Sequence, residues 1–247
     1  MSLADMNVAD LTDQVPPTHP LDRMPVRSIG PDAAAPVTPL EASLPYRAVK
    51  RTLDIVLGTA MLLATLPVLV VVALSVRRDG GPAVFRQRRL GKDGTTFLML
   101  KFRSMAVDAE DRLRRDPELY RRYVENDFKL PAEEDPRTTR LGRFLRSSSI
   151  DELPQLVNVL RGEMTLVGPR PIVEGEIAEY ESRGAAEAYL HAKPGLTGPW
   201  QASGRSLMGY DARIALDVDY VENPSVLADV KLLARTARAV VQRAGAH

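Results

Sequence analysis

Ile55-Val56-Leu57-Gly58-Thr59-Ala60-Met61-Leu62-Leu63-Ala64-Thr65-Leu66-Pro67-Val68-Leu69-Val70-Val71-Val72-Ala73-Leu74-Ser75-Val76 contains no charged side chain. As a straight helix this stretch would measure about 33 Å, close to the roughly 30 Å hydrocarbon core of a bilayer. Its flanks argue against a simple crossing. Arg47, Lys50 and Arg51 precede it and Arg77 and Arg78 follow it, and basic flanks favour the cytoplasmic side, where one straight span cannot place both ends. Pro67 removes a backbone hydrogen bond and kinks a helix. The reading is a proline-broken re-entrant helix over 46–79 that enters the membrane and returns, with Thr65 as donor to backbone freed at the break. A single transmembrane anchor is the competing reading.

On the N-terminal side, residues 1–45 hold eight of the 19 prolines, six acidic residues and only Arg23 and Arg27 as cations. Without apolar periodicity they read as a disordered acidic Pro-rich tail. Removing that tail from the totals of 33 Lys+Arg and 32 Asp+Glu leaves 31 and 26. The body is therefore mildly basic, which suits anionic partners but is too weak and scattered for nucleic acid. The chain has no cysteine, which removes disulfides, thiolate nucleophiles and Cys-ligated metals. The first thirty residues lack a basic region followed by an apolar one, so no secretory signal is expected and the body, 80–247, is read as cytoplasmic.

On the C-terminal side, strands around Ala83–Arg88 and Thr96–Ser104 flank Gly91-Lys92-Asp93-Gly94 and read as a hairpin. Alternation in the second strand puts Leu98, Leu100 and Phe102 on a core face and Phe97, Met99, Lys101 and Arg103 on the other. A charged helix is expected over Ala106–Glu125, and others near Val173–Tyr180 and Ser225–Gln242. Leu153, Leu156, Val157 and Leu160 fit helical spacing, with Gly162 placed to end that helix. The last helix carries Lys231, Arg235, Arg238 and Arg243 beside apolar residues, a pattern that suits either an anionic surface or a solvated face over a core. The fold class is α+β: a small antiparallel sheet surrounded by helices.

The densest chemistry lies in Arg146-Ser147-Ser148-Ser149-Ile150-Asp151-Glu152-Leu153-Pro154-Gln155. Pro154 is tolerated only in a first helical turn, which places Asp151 and Glu152 at a helix N-terminus. Ser149-x-x-Glu152 matches a capping box, so capping alone could explain the acids. The same place suits catalysis: free N–H groups would keep Asp151 an ionised nucleophile, while a neighbouring carboxylate can hold Mg²⁺ beside substrate phosphates. Lys101, Arg103, Arg146 and Arg170 could meet those phosphates, the last fixed between Pro169 and Pro171. Trp200, the single tryptophan, could stack on a base, sit at the bilayer interface or lie in the core. Three histidines, with His19 and His247 near the ends of the chain and His191 alone between them, are too few for a His-based metal site, and no Gly-x-Ser-x-Gly, Walker or Gly-x-Gly-x-x-Gly signature is present.

These residues resemble the bacterial sugar transferases, small monotopic phosphoglycosyl transferases. The resemblance runs from about Lys50 to Arg243. It rests on Phe85-Arg86-Gln87-x-Arg89-x-Gly91-x-x-Gly94, Lys101-Phe102-Arg103-Ser104-Met105, Leu145-Arg146-x-x-Ser149-x-Asp151-Glu152-Leu153-Pro154-Gln155-Leu156, and Asn158-Val159-Leu160-Arg161-Gly162-Glu163-Met164. Further on come Leu166-Val167-Gly168-Pro169-Arg170-Pro171, Pro194-Gly195-Leu196-Thr197-Gly198-x-Trp200-Gln201-x-Ser203-Gly204-Arg205, and Asp217-x-x-Tyr220-x-x-Asn223. Within the family, Pro171–Tyr180 and Ala228-Asp229 are most similar to galactose-phosphate transferases of exopolysaccharide synthesis. The resemblance implies that Asp151 attacks the diphosphate of a UDP-sugar, releases UMP and holds the sugar phosphate until polyprenyl phosphate, usually undecaprenyl phosphate, takes it. It implies Glu152 as Mg²⁺ ligand, and a substrate site drawn from Lys101, Arg103, Arg146, Pro169, Arg170, Arg205, Asp217 and Tyr220. It also implies a location at the cytoplasmic face of the bacterial inner membrane and Pro67 as the helix break, although Leu66 stands where the family commonly has Ser. Pro199 likewise replaces an expected aliphatic residue. A membrane-tethered, non-catalytic scaffold is the alternative, and it would need neither the Asp-Glu pair nor these cations. The sequence leaves the sugar, any homo-oligomer and the tail's role open.

Overall fold

The computed structural model describes residues 43–125, 130, 135–202 and 210–241. Most of the acidic tail, and Arg205, lie outside them. The apolar stretch forms the core of α1 (Leu44–Val76), which starts with Pro45 in its first turn and contains Pro67. Helical backbone continues on both sides of that proline. The Thr65 hydroxyl donates to the Met61 carbonyl at 2.8 Å, whereas the carbonyl that Pro67 leaves without its usual partner is that of Leu63. Thr65 therefore back-bonds within the preceding turn, which favours bending, and does not cover the freed group as the sequence suggested.

One stripe of α1, through Lys50, Asp54, Gly58, Leu62, Leu69, Val72 and Val76, faces the body along the whole helix. Gly58 permits close approach: a Cβ there would already touch Leu160 at 3.4 Å. At the N-terminal end, Arg51 donates to the Val159 and Leu160 carbonyls, both at 2.8 Å. Asp54 accepts from Thr165 Oγ1 and the Leu166 N–H at 2.9 and 2.8 Å. At the C-terminal end Val72 and Val76 pack with Phe102 and Leu145. Both ends of the helix are thus held by one body. The opposite face exposes Ile55, Val56, Leu63, Leu66, Val71 and Leu74. Only 11% of the most apolar window is buried, the reverse of a soluble core helix, where most of that surface would be covered.

The hairpin forms as expected: β1 (Val84–Leu90) pairs antiparallel with β2 (Thr96–Phe102), Gln87 opposite Met99. Its faces are not assigned as alternation suggested. Met99 is buried and Leu98 is exposed, because the Met99 and Lys101 side packs toward the body and Phe102 meets α1 at the strand's end. The expected single helix over Ala106–Glu125 is two, α2 (Ala109–Arg115) and α3 (Pro117–Glu125). Asp116 breaks it by accepting from the Glu118 and Leu119 N–H groups with its side chain. After α4 (Arg140–Ser147) comes α5 (Gln155–Arg161), which ends at Gly162 with φ +81°, the left-handed conformation that glycine adopts without a Cβ penalty.

A second sheet, which was not anticipated, pairs β3 (Thr165–Val167) in parallel with β4 (Gly195–Thr197). Three-residue strands carry too short a pattern to read. Between them lie α6 (Ile177–Glu181) and α7 (Ala186–His191); α8 (Pro199–Ala202), α9 (Tyr210–Glu222) and α10 (Val226–Val241) follow. Leu232 of α10 is buried while Lys231, Arg235 and Arg238 are exposed, so the helix has a solvated basic face over a core. The main core joins Met99, Leu156, Val159, Met164, Leu166 and Val167. Asn158, fully buried, ties α5 to the open edge of β2. Its Oδ1 accepts from the Leu100 N–H and its Nδ2 donates to the Leu98 carbonyl, at 3.0 and 2.8 Å.

Candidate active site

Between α4 and α5 the chain makes a tight connection. Ser149 takes φ +57°, a left-handed conformation uncommon for serine, and Ile150–Glu152 form one 3-10 turn before Pro154 opens α5. Ile150 packs into the cluster shared with α1, while Leu153 packs into the main core. Asp151 and Glu152 are therefore held between two apolar anchors. The capping explanation loses its basis here. The Ser149 side chain makes no capping hydrogen bond, and its backbone is far from N-cap geometry.

Burial pushes the Asp151 carboxyl up to about 6, with Glu152 next door adding to the effect and Lys101 and Arg146 opposing it. The expectation that backbone N–H groups would dominate is reversed, because desolvation disfavours the charged form more strongly. Lys101 comes from β2 and is pushed down to about 8, by burial first. Glu152 raises it, and Arg89 and Arg170 lower it. Lys101, Glu152, Arg170, Arg89, Gln155 and Gln201 line a cavity of about 20 Å³. That is room for a water or a single ion, so a nucleotide sugar would have to lie beside it. The Gln201 Oε1 is buried without a hydrogen-bond partner among the described residues.

The Arg170 loop is fixed from several sides. Tyr189 donates to the Arg170 carbonyl at 3.0 Å and accepts from the Ile172 N–H. Gly195 donates to the Pro169 carbonyl at 2.8 Å. The Arg170 guanidinium stands 5.0 Å from the Trp200 ring centroid, with Arg213 at 5.9 Å. This adjoining pair of cations is the setting of Trp200, which is half-buried and in none of the three apolar clusters. Asp217, buried beneath, accepts from Tyr180 at 2.9 Å. Burial pushes its carboxyl up to about 6, with Tyr180, Arg213 and Arg170 opposing. On the other side, Arg146 Nε donates to Ser104 Oγ at 2.8 Å, which aims it from α4 toward the end of β2.

Asp151, Glu152, Lys101, Arg146 and Arg170 are thus brought together. Other sequence candidates are placed elsewhere. Arg103 does not share a face with Lys101, because β2 ends at Phe102; its guanidinium binds Asp79 at 2.7 Å and the Val76 carbonyl at 2.9 Å, closing the end of α1. Tyr220 donates to Asp229 at 2.6 Å and accepts from Lys50, which also donates to the Val167 carbonyl at 2.8 Å, a latch on the start of α1. Asp217 supports the Arg170 loop, and Pro169 is buried backbone. Arg89, Gln155 and Gln201 were overlooked as site residues although they stood inside the quoted motifs. An arginine in a strand and two glutamines carry no signal of their own without knowledge of which side they face.

The model of the family described as bacterial sugar transferase matches residues 45–243. The UDP-galactose-lipid carrier transferase of Erwinia amylovora is 46% identical over 205 residues, 81% of this chain and 42% of that protein. The undecaprenyl-phosphate galactose phosphotransferase of Salmonella typhimurium is 45% identical, with 81% and 42% covered. The exopolysaccharide production protein ExoY of Sinorhizobium fredii is 43% identical over 80% of this chain and 88% of its own length. The chain spans less than half the length of the first two. Because the matched segment takes in α1, the Asp151-Glu152 turn and the Arg170 loop alike, the chain belongs to the bacterial sugar transferase family.

Proposed function

We propose that this chain transfers a sugar 1-phosphate from a UDP-sugar to undecaprenyl or another polyprenyl phosphate, releases UMP, and so initiates synthesis of an exopolysaccharide or other surface glycan. The observation that carries the reading is the Asp151-Glu152 turn, free of a capping role and set among Lys101, Arg146 and Arg170. A scaffold has no use for two half-buried, mutually repelling carboxylates set beside half-buried cations, an arrangement whose perturbed titration is characteristic of functional sites. The names of the relatives above, which specify UDP-galactose and undecaprenyl phosphate for those proteins, support the substrate classes.

In the first half-reaction an Asp151 carboxylate oxygen attacks the sugar-bearing phosphorus. The bond from that phosphorus to the bridging oxygen breaks, UMP leaves with the oxygen and its electron pair, and the sugar phosphate remains on Asp151 as an acyl phosphate. In the second half an oxygen of the lipid phosphate attacks the same phosphorus and releases the carboxylate. Lys101, Arg146 and Arg170 would hold the phosphate oxygens in line, where fixed cations contribute most. Among the described residues no cluster of three or more metal-binding side chains is found. Magnesium beside phosphates usually needs only one or two carboxylates, so Glu152, with Asp151 adjacent, fits as its ligand. When bound, Mg²⁺ would offset the charge of the diphosphate.

A panel of UDP-sugars incubated with the full chain, undecaprenyl phosphate and Mg²⁺ tests the activity directly. UMP release and a lipid-linked sugar phosphate are expected with at least one donor. A folded protein that turns over none of them would favour the scaffold.

The reading includes re-entry of α1 from the cytoplasmic face, supported by the attachment of both its ends to one body. In this cysteine-free chain, Ala48→Cys and Arg78→Cys should each react with an impermeant maleimide in inside-out inner-membrane vesicles and not in right-side-out ones. Labelling of the two from opposite sides would establish a span instead.

A further inference from the structure

A second, larger cavity of about 590 Å³ lies between the first turns of α1 and the body, and neither Asp151 nor Glu152 lines it. Its size is that of a ligand site. Arg47, Arg51, Lys92 and Lys193 line it from three separate parts of the chain. Arg51 is engaged with the last carbonyls of α5. Lys193 Nζ and Arg51 Nη2 both lie within 3.5 Å of the point where a Cβ on Gly162 would stand. The acid that lines the cavity, Asp54, spends one oxygen on Thr165 and Leu166 and forms no ion pair with these cations. Lys50, also in the wall, is already matched by Asp229 at 2.8 Å. The side chains of Arg47, Lys92 and Lys193 make no hydrogen bond or ion pair to a described residue, and among the described residues Asp54 is the one acid in the cavity wall to set against them.

The position along α1 adds a second argument. Leu44 and Val49 are exposed singly near the start of α1, and the charge-free exposed apolar face begins at Ile55, four residues beyond Arg51 and eight beyond Arg47, about 6 and 12 Å along a helix axis. The polar layer on each side of the hydrocarbon core is only some 6–7 Å deep. Where Ile55 marks the hydrocarbon boundary, Arg51 and the mouth of the cavity fall at headgroup level, and Arg47 reaches it on a helix inclined to the bilayer normal.

We propose that this cavity is a phosphate-binding site apart from the reaction centre, and that it takes the phosphodiester headgroup of an anionic membrane lipid. Arg47, Lys92 and Lys193 are the recognising cations, and basic pockets beside membrane helices bind such headgroups through the same chemistry. The Lys193 ammonium is pushed below its usual range, by burial first and then by Arg51, with Asp54 opposing and Lys92 and Arg47 adding to the effect. The phosphate chemistry stands on the cavity alone. Its assignment to a lipid rests on α1 being the membrane segment, which the maleimide labelling tests separately.

The test uses the full chain in a neutral detergent, with thermal unfolding measured against dihexanoyl phosphatidylglycerol, dihexanoyl phosphatidylcholine and inorganic phosphate. Phosphatidylglycerol should raise the midpoint by several degrees, and phosphatidylcholine should not. Lys193→Glu should weaken the phosphatidylglycerol response at least ten-fold, and Lys92→Glu, on the hairpin turn, serves if the first variant does not fold. Asp151→Asn should leave the response intact. An equal response to inorganic phosphate would keep the site and overturn its assignment to a lipid. No response to either phosphate compound, or a response unchanged in both Glu variants, would overturn the site itself.

Discussion

Asp151→Asn should abolish exchange of labelled UMP into a UDP-sugar pool, with a loss of at least about a thousand-fold, while the protein still folds. A covalent aspartyl route splits the reaction, and its first half needs no lipid. Wild-type protein with UDP-sugar and Mg²⁺ alone should therefore exchange UMP. The amide keeps the size of the carboxylate but has no anionic oxygen to attack with, and it removes a buried charge that burial disfavours in any case. Its fold should be at least as stable as the wild type. Glu152→Gln should behave differently, retaining partial exchange but demanding more Mg²⁺, as loss of a metal ligand would. Exchange that appears only when polyprenyl phosphate is added would point to direct attack by the lipid, as would near-normal turnover by Asp151→Asn.

The largest expected effect on stability falls on a residue outside the chemistry. Asn158 is completely buried and satisfies Leu98, Leu100 and Glu163, the last accepting from its Nδ2 at 2.7 Å. Asn158→Leu would leave two strand groups and a carboxylate without partners. Each buried orphan costs about 1–3 kcal/mol, so a loss of about 3 kcal/mol or more is expected. For a chain of this size that corresponds to roughly 6–12 °C in unfolding midpoint. Thermal unfolding in detergent measures it, and a change below about 1 kcal/mol would mean that water or a shift of β2 replaces the amide.

The same residue marks the limit of what the sequence conveyed. The apolar stretch with its basic flanks, the Gly91–Gly94 hairpin and the helix stop at Gly162 were all legible, because each rests on a local signal: hydrophobic length, turn chemistry, a left-handed glycine. Asp151, Glu152, Lys101, Arg146 and Arg170 were legible as residue types and meet in space. What could not be read is which way side chains turn where an element ends. Arg103 stood in apparent alternation with Lys101, yet the strand stops one residue earlier. Tyr220 stood in a family motif, yet its hydroxyl closes a latch. The parallel pairing of β3 with β4, and the role of Asn158 as a substitute strand for β2, depend on contacts between segments far apart in the chain, for which three residues of pattern supply no signal.

The two apolar anchors of the Asp151-Glu152 turn seat it on two clusters, one at the C-terminal end of α1 and one the main core. Ile150 rests on the cluster that includes Val72 and Val76 of α1, whereas the Arg170 loop, Trp200 and Arg213 rest on α7, α8 and α9. Under the proposed function, selection for a new donor would act on the second group while the seat of Ile150 on α1 stays as it is. One short turn seated on two apolar clusters would then hold its carboxylates in place while the loops that recognise a substrate change around it.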